Sequence, residues 1–192
     1  MTPRHAMLDL ETLGKGPRAA IVSIGAVIFD PHGAEPTALH QRYYARISLE
    51  SSRAIGLEID TDTLNWWLGQ GPVSRAELAN DYGRIEIAEA LRGLAWFLNG
   101  HDTTDRSSDD LRIWCCGASF DFPILREAYR LCGIEAPWMF YHERDYRTLR
   151  EMVPACPRPP RATTSHHALH DAFEQARHLQ SILRHVPVES LQ

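Results

Sequence analysis

The stretch HAMLDLETLGKGPRAAIVSIGAVIFD, residues 5–30, contains two apolar segments separated by a turn with Gly14, Gly16 and Pro17. The first segment, 5–11, and the second, 19–30, are rich in aliphatic residues and predict two β-strands. A third strand is predicted at 41–48. Because short connections can join only antiparallel neighbours, these three strands predict an antiparallel meander.

The rest of the chain predicts helices with one further buried strand. Helical spacing of apolar residues indicates helices at 61–68, 85–98, about 122–132 and about 167–185, and the apolar run LRIWCC at 111–116 indicates a buried strand. The polar stretch 101–110 and the proline-rich stretch 154–165 predict loops. This order predicts an α/β fold, a mixed sheet in which the meander is joined by parallel strands and flanked by helices.

Length and composition limit the class of protein. The 192 residues fit a single domain, 1–192, and 44% hydrophobic with 23% charged residues is typical of a globular chain. A net charge of −5 argues against coating nucleic acid through bulk positive charge. No apolar run suits a membrane span or a secretory signal, so we expect no membrane partner and a cytoplasmic location. No CxxC pair suggests a zinc site or a disulfide framework.

Two carboxylates lie on one face of the first strand. Side chains alternate along a strand, so Asp9 and Glu11 point the same way as Met7. Neighbouring carboxylates in a buried place repel each other unless a cation or a donor lies between them. The alternative is an edge strand whose acids simply face water.

A third carboxylate, Asp121, follows the buried strand 111–116 at the start of a helix. Aspartate often stabilises a helix N-terminus, which is one explanation. Open α/β sheets also bind their ligands just beyond the carboxyl ends of strands, which is the other.

The last helix supplies a fourth carboxylate and a histidine. Asp171 borders its apolar stripe, which is formed by Ala168, Ala172, Ala176, Leu179, Ile182 and Leu183. His166 precedes Asp171 by five residues and would lie on another face of a continuous helix. The two side chains meet only if His166 lies in the loop or cap just before the helix. A zinc site using His166, His167, His170 and Asp171 is a weaker alternative.

Asp9, Glu11, Asp121 and Asp171 come from four elements that can meet at one end of a sheet. Carboxylate-only sites favour Mg²⁺ or Mn²⁺ over zinc. Two such ions about 3.5–4 Å apart stabilise the attacking and leaving oxygens of a phosphoryl displacement. A neutral histidine is suited to act as the base for the attacking water.

Three motifs resemble those of the DEDDh 3′–5′ exonucleases: LDLETLG at 8–14, ASFDFPIL at 118–125 and HHALHDA at 166–172. The strings AAIVSIGAVIFD, IDTDTLNWWL and APWMFYHERDYRTL, with the first two motifs, resemble more closely the compact exoribonuclease and phage DexA-type branch of this family. This resemblance implies a ribonuclease H-like fold, two Mg²⁺ or Mn²⁺ ions on Asp9, Glu11, Asp121 and Asp171, and His166 as the general base.

The resemblance also implies that Thr12 and Leu13 hold the terminal nucleotide, although this chain has ETLG where many relatives have ETTG. Among aromatic residues, Trp66, Trp67 and Phe120 are candidates for base stacking. Trp67 is favoured of the two adjacent tryptophans, and core packing is the alternative for at least one of them. The cations on flanking loops that are candidates for phosphate contacts are Lys15, Arg18, Arg158 and Arg161.

These observations predict an exonuclease for single-stranded or 3′-overhanging nucleic acid, with RNA favoured and DNA allowed. A phosphodiesterase for very short oligonucleotides and an inactive nucleic-acid-binding protein are the alternatives. The aromatic segment WMFYHERDYRTL at 138–149 offers an interface for a homodimer, or packs internally.

Overall fold

The computed structural model describes residues 4–36, 38–79, 81–100, 111–157 and 166–185. In this part of the chain, one mixed sheet has the strand order β4-β3-β2-β1-β5-β6. The strands are β1 (Arg4–Thr12), β2 (Ile21–Phe29), β3 (Arg42–Ile47), β4 (Arg84–Ile85), β5 (Leu111–Cys115) and β6 (Glu143–Asp145).

The first three strands form the predicted antiparallel meander, and β5 and β6 extend it in parallel with β1. Strand β1 is therefore central, and the explanation that its acids lie on a solvent-facing edge strand is wrong. Because β1, β5 and β6 are mutually parallel, their carboxyl ends meet at one edge of the sheet. We call this the carboxyl edge.

Helices cover the sheet. In the described residues they are α1 (Leu49–Ala54), α2 (Thr61–Leu68), α3 (Pro72–Ala79), α4 (Ile87–Leu98), α5 (Asp121–Leu131), α6 (Tyr146–Met152) and α7 (Ala168–Leu183). The helix predicted from residue 85 begins two residues later, because Arg84 and Ile85 pair with β3. The short elements α1, α3, α6, β4 and β6 were not predicted, since each offers too few residues for a periodic pattern. None of these helices is long and apolar enough to cross a membrane.

The two faces of the sheet pack against different helices. Ala6, Leu8 and Leu10 of β1 join a cluster with residues of α4 and α5. Met7 joins the second cluster, which contains the apolar stripe of α7 from Ala172 to Leu183. All six predicted stripe residues are fully buried. By strand alternation, Asp9 and Glu11 lie on the same face as Met7, toward α7.

A glycine lets α7 approach the sheet closely at this point. Gly25 on β2 lies opposite Asp9 on one side and Tyr44 on the other. A Cβ atom at Gly25 would lie 2.2 Å from the backbone carbon of Ala168 and 2.2 Å from the backbone nitrogen of Leu169. The start of α7 can therefore reach the neighbourhood of Asp9 only because residue 25 has no side chain.

The aromatic segment 138–149 divides between the core and the surface. Trp138 and Tyr146 are buried, whereas Met139, Phe140 and Tyr141 are exposed. Internal packing accounts for the buried pair. The homodimer stays a prediction that rests on the exposed part.

Candidate active site

The four acids of the sequence motifs approach one another at the carboxyl edge. Asp9 and Glu11 lie near the end of β1, Asp121 is the first residue of α5, and Asp171 lies in the first turn of α7. The backbone N–H of Leu10 donates to Asp121 Oδ1 at 3.2 Å, which fixes α5 directly against β1. On the other side, Gln175 Nε2 of α7 donates to Asp9 Oδ1 at 2.8 Å.

His166 joins this group. One ligand atom from each of Glu11, His166 and Asp171 lies within 4.8 Å of the others. The backbone N–H of His166 also donates to Asp171 Oδ2 at 2.9 Å. The structure thus brings together all five residues expected from the motifs.

Repulsion and burial dominate the electrostatics of the cluster. Burial, followed by the negative charges of Asp121, Glu11 and Asp171, raises the pKa of Asp9 well above its ordinary value, and the bond from Gln175 only partly opposes this. Burial also raises the pKa of Asp121 to about 7, against the hydrogen bonds that it accepts. Positive charge placed between these carboxylates would relieve this cost, so the cluster has the chemistry of a cation site.

The backbone explains how His166 reaches Asp171. His166 has φ +69°, and His167, the residue after it, is the N-cap of α7. A left-handed residue just before the cap turns the chain sharply, so His166 does not continue the helical rotation. The condition that the sequence set for their meeting, a position in the loop or cap just before the helix, is fulfilled, because His166 directly precedes the N-cap residue.

Contacts with β3 and α3 hold His167, the residue after His166. The rings of His167 and Tyr44 stack with centroids 4.5 Å apart. Tyr44 Oη donates to the carboxylate of Glu77 at 2.9 Å, and His167 Nε2 lies 3.6 Å from Glu77 Oε1. Glu77 on α3 and Tyr44 on β3 were missed from the sequence, because neither carries a motif and both act only through their position in space.

The histidine-rich zinc alternative does not fit these contacts. His167 Nδ1 accepts the backbone N–H of His170 at 3.4 Å as the helix cap, and its ring is committed to Tyr44. Among the described residues, the grouping of metal-ligating atoms contains one histidine, His166, and two carboxylates.

The two adjacent tryptophans of α2 have opposite environments. Trp67 is only 1% exposed, and its Nε1 donates to the carbonyl of Thr12 at 2.9 Å. Trp66 is 46% exposed and meets the ring of His166 edge to face at 4.9 Å. The choice of Trp67 as a base-stacking residue is therefore corrected: Trp67 supports the end of β1, and Trp66 presents the open aromatic surface.

Leu13 needs a similar correction. Its side chain is 1% exposed and packs in the core, so it offers no open face to a base. The hydroxyl of Thr12, also buried, donates to the carbonyl of Gly14 at 2.8 Å. Phe120, just before Asp121, is partly buried against the core and stays a candidate for base contact.

The cations expected near the motifs differ in their partners. Arg18 forms an ion pair with Glu127 at 3.1 Å. Lys15 and Arg18 line a cavity of about 720 Å³ beside the start of α2, which none of the five clustered residues lines. Arg158 and Arg161 lie outside the described residues.

Comparisons with solved structures support the fold. The nuclease domain of 3′hExo, a DEDDh family member bound to rAMP, superposes with a TM-score of 0.62 at 11% identity, covering 96% of this chain and 94% of that one. E. coli ExoI, in a zinc-bound complex with single-stranded DNA, gives a TM-score of 0.63 at 13% identity and covers 98% of this chain. This chain spans only 42% of ExoI.

Sequence comparison reaches the same group of proteins. An exodeoxyribonuclease of Enterobacteria phage T4 is 27% identical over 206 residues, which covers 93% of this chain and 88% of the phage protein. The family model described as the Rv2179c-like 3′-5′ exoribonuclease domain matches residues 4–183. The chain, a 3′–5′ exonuclease of ribonuclease H-like fold, therefore belongs to the Rv2179c-like 3′-5′ exoribonuclease domain family.

Proposed function

We propose that this exonuclease is metal-dependent and degrades single-stranded or 3′-overhanging nucleic acid from the 3′ end to nucleoside 5′-monophosphates. The observation that carries the proposal is the meeting of Asp9, Glu11, Asp121, Asp171 and His166 at the carboxyl edge. RNA is the favoured substrate because the family is described as exoribonucleases. DNA stays in the proposal because the phage relative is an exodeoxyribonuclease.

The residues present fit two Mg²⁺ or Mn²⁺ ions. Asp9, Glu11, Asp121 and Asp171 would hold them, since hard divalent cations prefer oxygen ligands. The side-chain oxygen of Gln175, beside Asp9, is buried and accepts no hydrogen bond from the described residues. It is a further oxygen that a cation or its water can use. When bound, two ions stabilise negative charge on the attacking and leaving oxygens of the phosphoryl group.

In this proposal His166 takes a proton from the attacking water. Its backbone N–H is tied to Asp171 Oδ2, so the ring is held beside the carboxylates rather than carried on a free loop. Trp66 lies edge-on to this ring and exposes nearly half of its surface. We infer that Trp66 stacks on the base of the terminal nucleotide, a contact worth about 1–3 kcal/mol.

Replacing His166 tests the assignment of the base. We expect His166→Asn to lower kcat by about 10²–10⁴-fold with little change in metal affinity, because a general base contributes about that factor. Asparagine is the preferred replacement since it tolerates the left-handed backbone at this position. The measurement is single-turnover cleavage together with calorimetric titration of Mn²⁺.

A matched control is His170→Asn, one turn along α7, which we expect to keep kcat within about threefold. Wild-type kcat in the His166 variant would assign the base elsewhere. A parallel loss of Mn²⁺ binding would make His166 a metal ligand instead.

The proposed function is tested with 5′-labelled single-stranded RNA and DNA of one sequence, each with Mg²⁺, Mn²⁺ or EDTA. We expect ladders that shorten from the 3′ end, nucleoside 5′-monophosphates as products, faster cleavage of RNA, and no cleavage in EDTA. A blunt duplex should be resistant and a 3′ overhang should be trimmed. Cleavage in EDTA would overturn metal dependence, and cleavage confined to dinucleotides would favour the short-oligonucleotide phosphodiesterase.

A further inference from the structure

Arg147 is a cation at the carboxyl edge that the site described so far does not use. It is the second residue of α6 and follows directly on β6, whose end lies beside the ends of β1 and β5. Its residue surface is exposed. In the strand order, β6 and β2 lie on opposite sides of β1, and the start of α7 meets the sheet at Gly25 of β2. Arg147 is therefore a positive side chain on the β6 side of β1, whereas the start of α7 lies on the β2 side.

One hydrogen bond sets the direction of the Arg147 guanidinium. Nη2 donates to the carbonyl of Cys116 at 3.0 Å. The guanidinium lies over Gly117, which has φ +112° and where a Cβ atom would come within 3.3 Å of Nη2. The side chain thus lies across the turn that leads to Asp121 and does not extend into solvent at random.

The base of Arg147 is held rigidly. Asp145, two residues earlier, accepts the backbone N–H of Ala118 and that of Thr148 at 2.8 Å. These bonds tie the start of α6 to the turn between β5 and α5. The turn that leads to Asp121 and the start of the helix that carries Arg147 are therefore joined through Asp145.

Among the described residues, Arg147 forms no ion pair with a carboxylate. Its positive charge acts on Asp121 and Asp145, yet among the described residues its one hydrogen bond is to a carbonyl and no carboxylate lies within ion-pair distance. By contrast, Arg18, Arg126 and Arg130 all form ion pairs. No other described residue accepts from the remaining N–H groups of Arg147, which can donate to an external anion, and the guanidinium geometry suits phosphate.

We propose that Arg147 binds a non-scissile phosphodiester of the strand that remains after cleavage. This inference rests on the proposed function. A 3′-terminal nucleoside with a free hydroxyl carries no phosphate beyond the scissile one, so any second phosphate at this edge belongs to the retained strand. Trp66 on one side of the cluster and Arg147 on the other then define the direction of the strand. The contact makes the enzyme favour chains over substrates with a single phosphodiester.

The test compares two substrates in Arg147→Ala, Arg147→Lys and a control. One substrate is the p-nitrophenyl ester of thymidine 5′-monophosphate, which has a single phosphodiester, and the other is a single-stranded pentanucleotide. We expect the ratio of kcat/KM, pentanucleotide over ester, to fall about tenfold in Arg147→Ala and less than about threefold in the lysine variant. Arg130→Ala, which removes an exposed charge about 13 Å along α5 from Asp121, should leave the ratio unchanged.

Binding gives a second readout. With Ca²⁺ in place of Mg²⁺, pentanucleotide affinity measured by fluorescence anisotropy should fall less steeply with salt in Arg147→Ala, by about 0.7 in the logarithmic slope for one lost phosphate contact. An unchanged substrate ratio together with an unchanged slope would overturn the inference. An equal loss of kcat/KM on both substrates would overturn it as well, and would make Arg147 a positioning residue for Asp121.

The two proposals fail in different ways. If the wild-type protein cleaves neither substrate with Mg²⁺ or Mn²⁺, the proposed function fails, and the salt slope alone judges Arg147. If the wild-type protein cleaves both and neither the substrate ratio nor the salt slope changes in Arg147→Ala, only the inference about Arg147 fails.

Discussion

Asp121→Asn is expected to lower kcat/KM by at least about 10³-fold while making the metal-free protein more stable at pH 8. The loss follows from removing a proposed metal ligand, since metal stabilisation of transition-state charge is worth several kcal/mol. The gain follows from removing a buried charge: Asp121 is 3% exposed. Asparagine has the same shape and keeps an oxygen for the Leu10 N–H.

The pH dependence of the stability gain has a definite sign. The pKa of Asp121 is raised to about 7 in the folded protein, against 3.8 for an ordinary aspartate. The folded protein therefore favours the protonated carboxyl. The stability that this form contributes is fully present below about pH 4 and is lost as the pH rises through 7. At pH 8 the ionised Asp121 side chain destabilises the folded protein by at most about 4 kcal/mol. We therefore expect the free energy of unfolding of Asp121→Asn to exceed that of the wild-type protein by about 1–3 kcal/mol.

Urea unfolding in EDTA at pH 8 and pH 5 measures this effect, and the stability gain should shrink at pH 5. Adding Mg²⁺ should stabilise the wild-type protein more than the variant, because the variant has lost Asp121, one of the proposed metal ligands. Asp62→Asn, on the exposed side of α2, is the control and should change neither quantity. Full activity in Asp121→Asn, or lower stability at pH 8, would contradict the assignment of Asp121 as a buried, charged ligand.

Gly25→Ala is expected to cost both stability and activity although Gly25 touches no substrate in the proposed mechanism. The added methyl group would overlap the backbone at Ala168 and Leu169, at 2.2 Å from each. Backbone atoms cannot rotate away, so α7 must shift from the sheet. Overpacking of this kind costs about 1–3 kcal/mol.

The shift matters because α7 and its cap carry His166, Asp171 and Gln175. A displacement of about 1 Å misaligns these groups relative to Asp9 and lowers kcat about 10²-fold. Cleavage assays and thermal unfolding of Gly25→Ala are the measurement. Gly71→Ala adds the same methyl group where no atom lies within 4 Å, and it should leave both unchanged. Wild-type kcat in Gly25→Ala would show that the catalytic groups do not depend on this contact.

The sequence by itself determined the larger elements and the members of the cluster. The strands β1, β2, β3 and β5 and the helices α2, α4, α5 and α7 are all visible in the pattern of apolar residues. Periodicity predicts these elements because each of them buries one face. The buried face requires apolar residues at the spacing that is typical of a strand or a helix. The three acidic motifs likewise identified Asp9, Glu11, Asp121, Asp171 and His166, which the structure brings together.

Only the tertiary structure decided which neighbour of each pair faces outward and what supports the site. Trp66 and Trp67 are equivalent in sequence. In the structure Trp67 is buried in the core and donates to the carbonyl of Thr12, whereas Trp66 lies beside His166. The close approach at Gly25, the Glu77 contacts and the guanidinium of Arg147 depend on residues far apart in the chain. Local spacing reports on one element at a time, whereas these features arise where several elements meet, so their physical cause exists only in the folded protein.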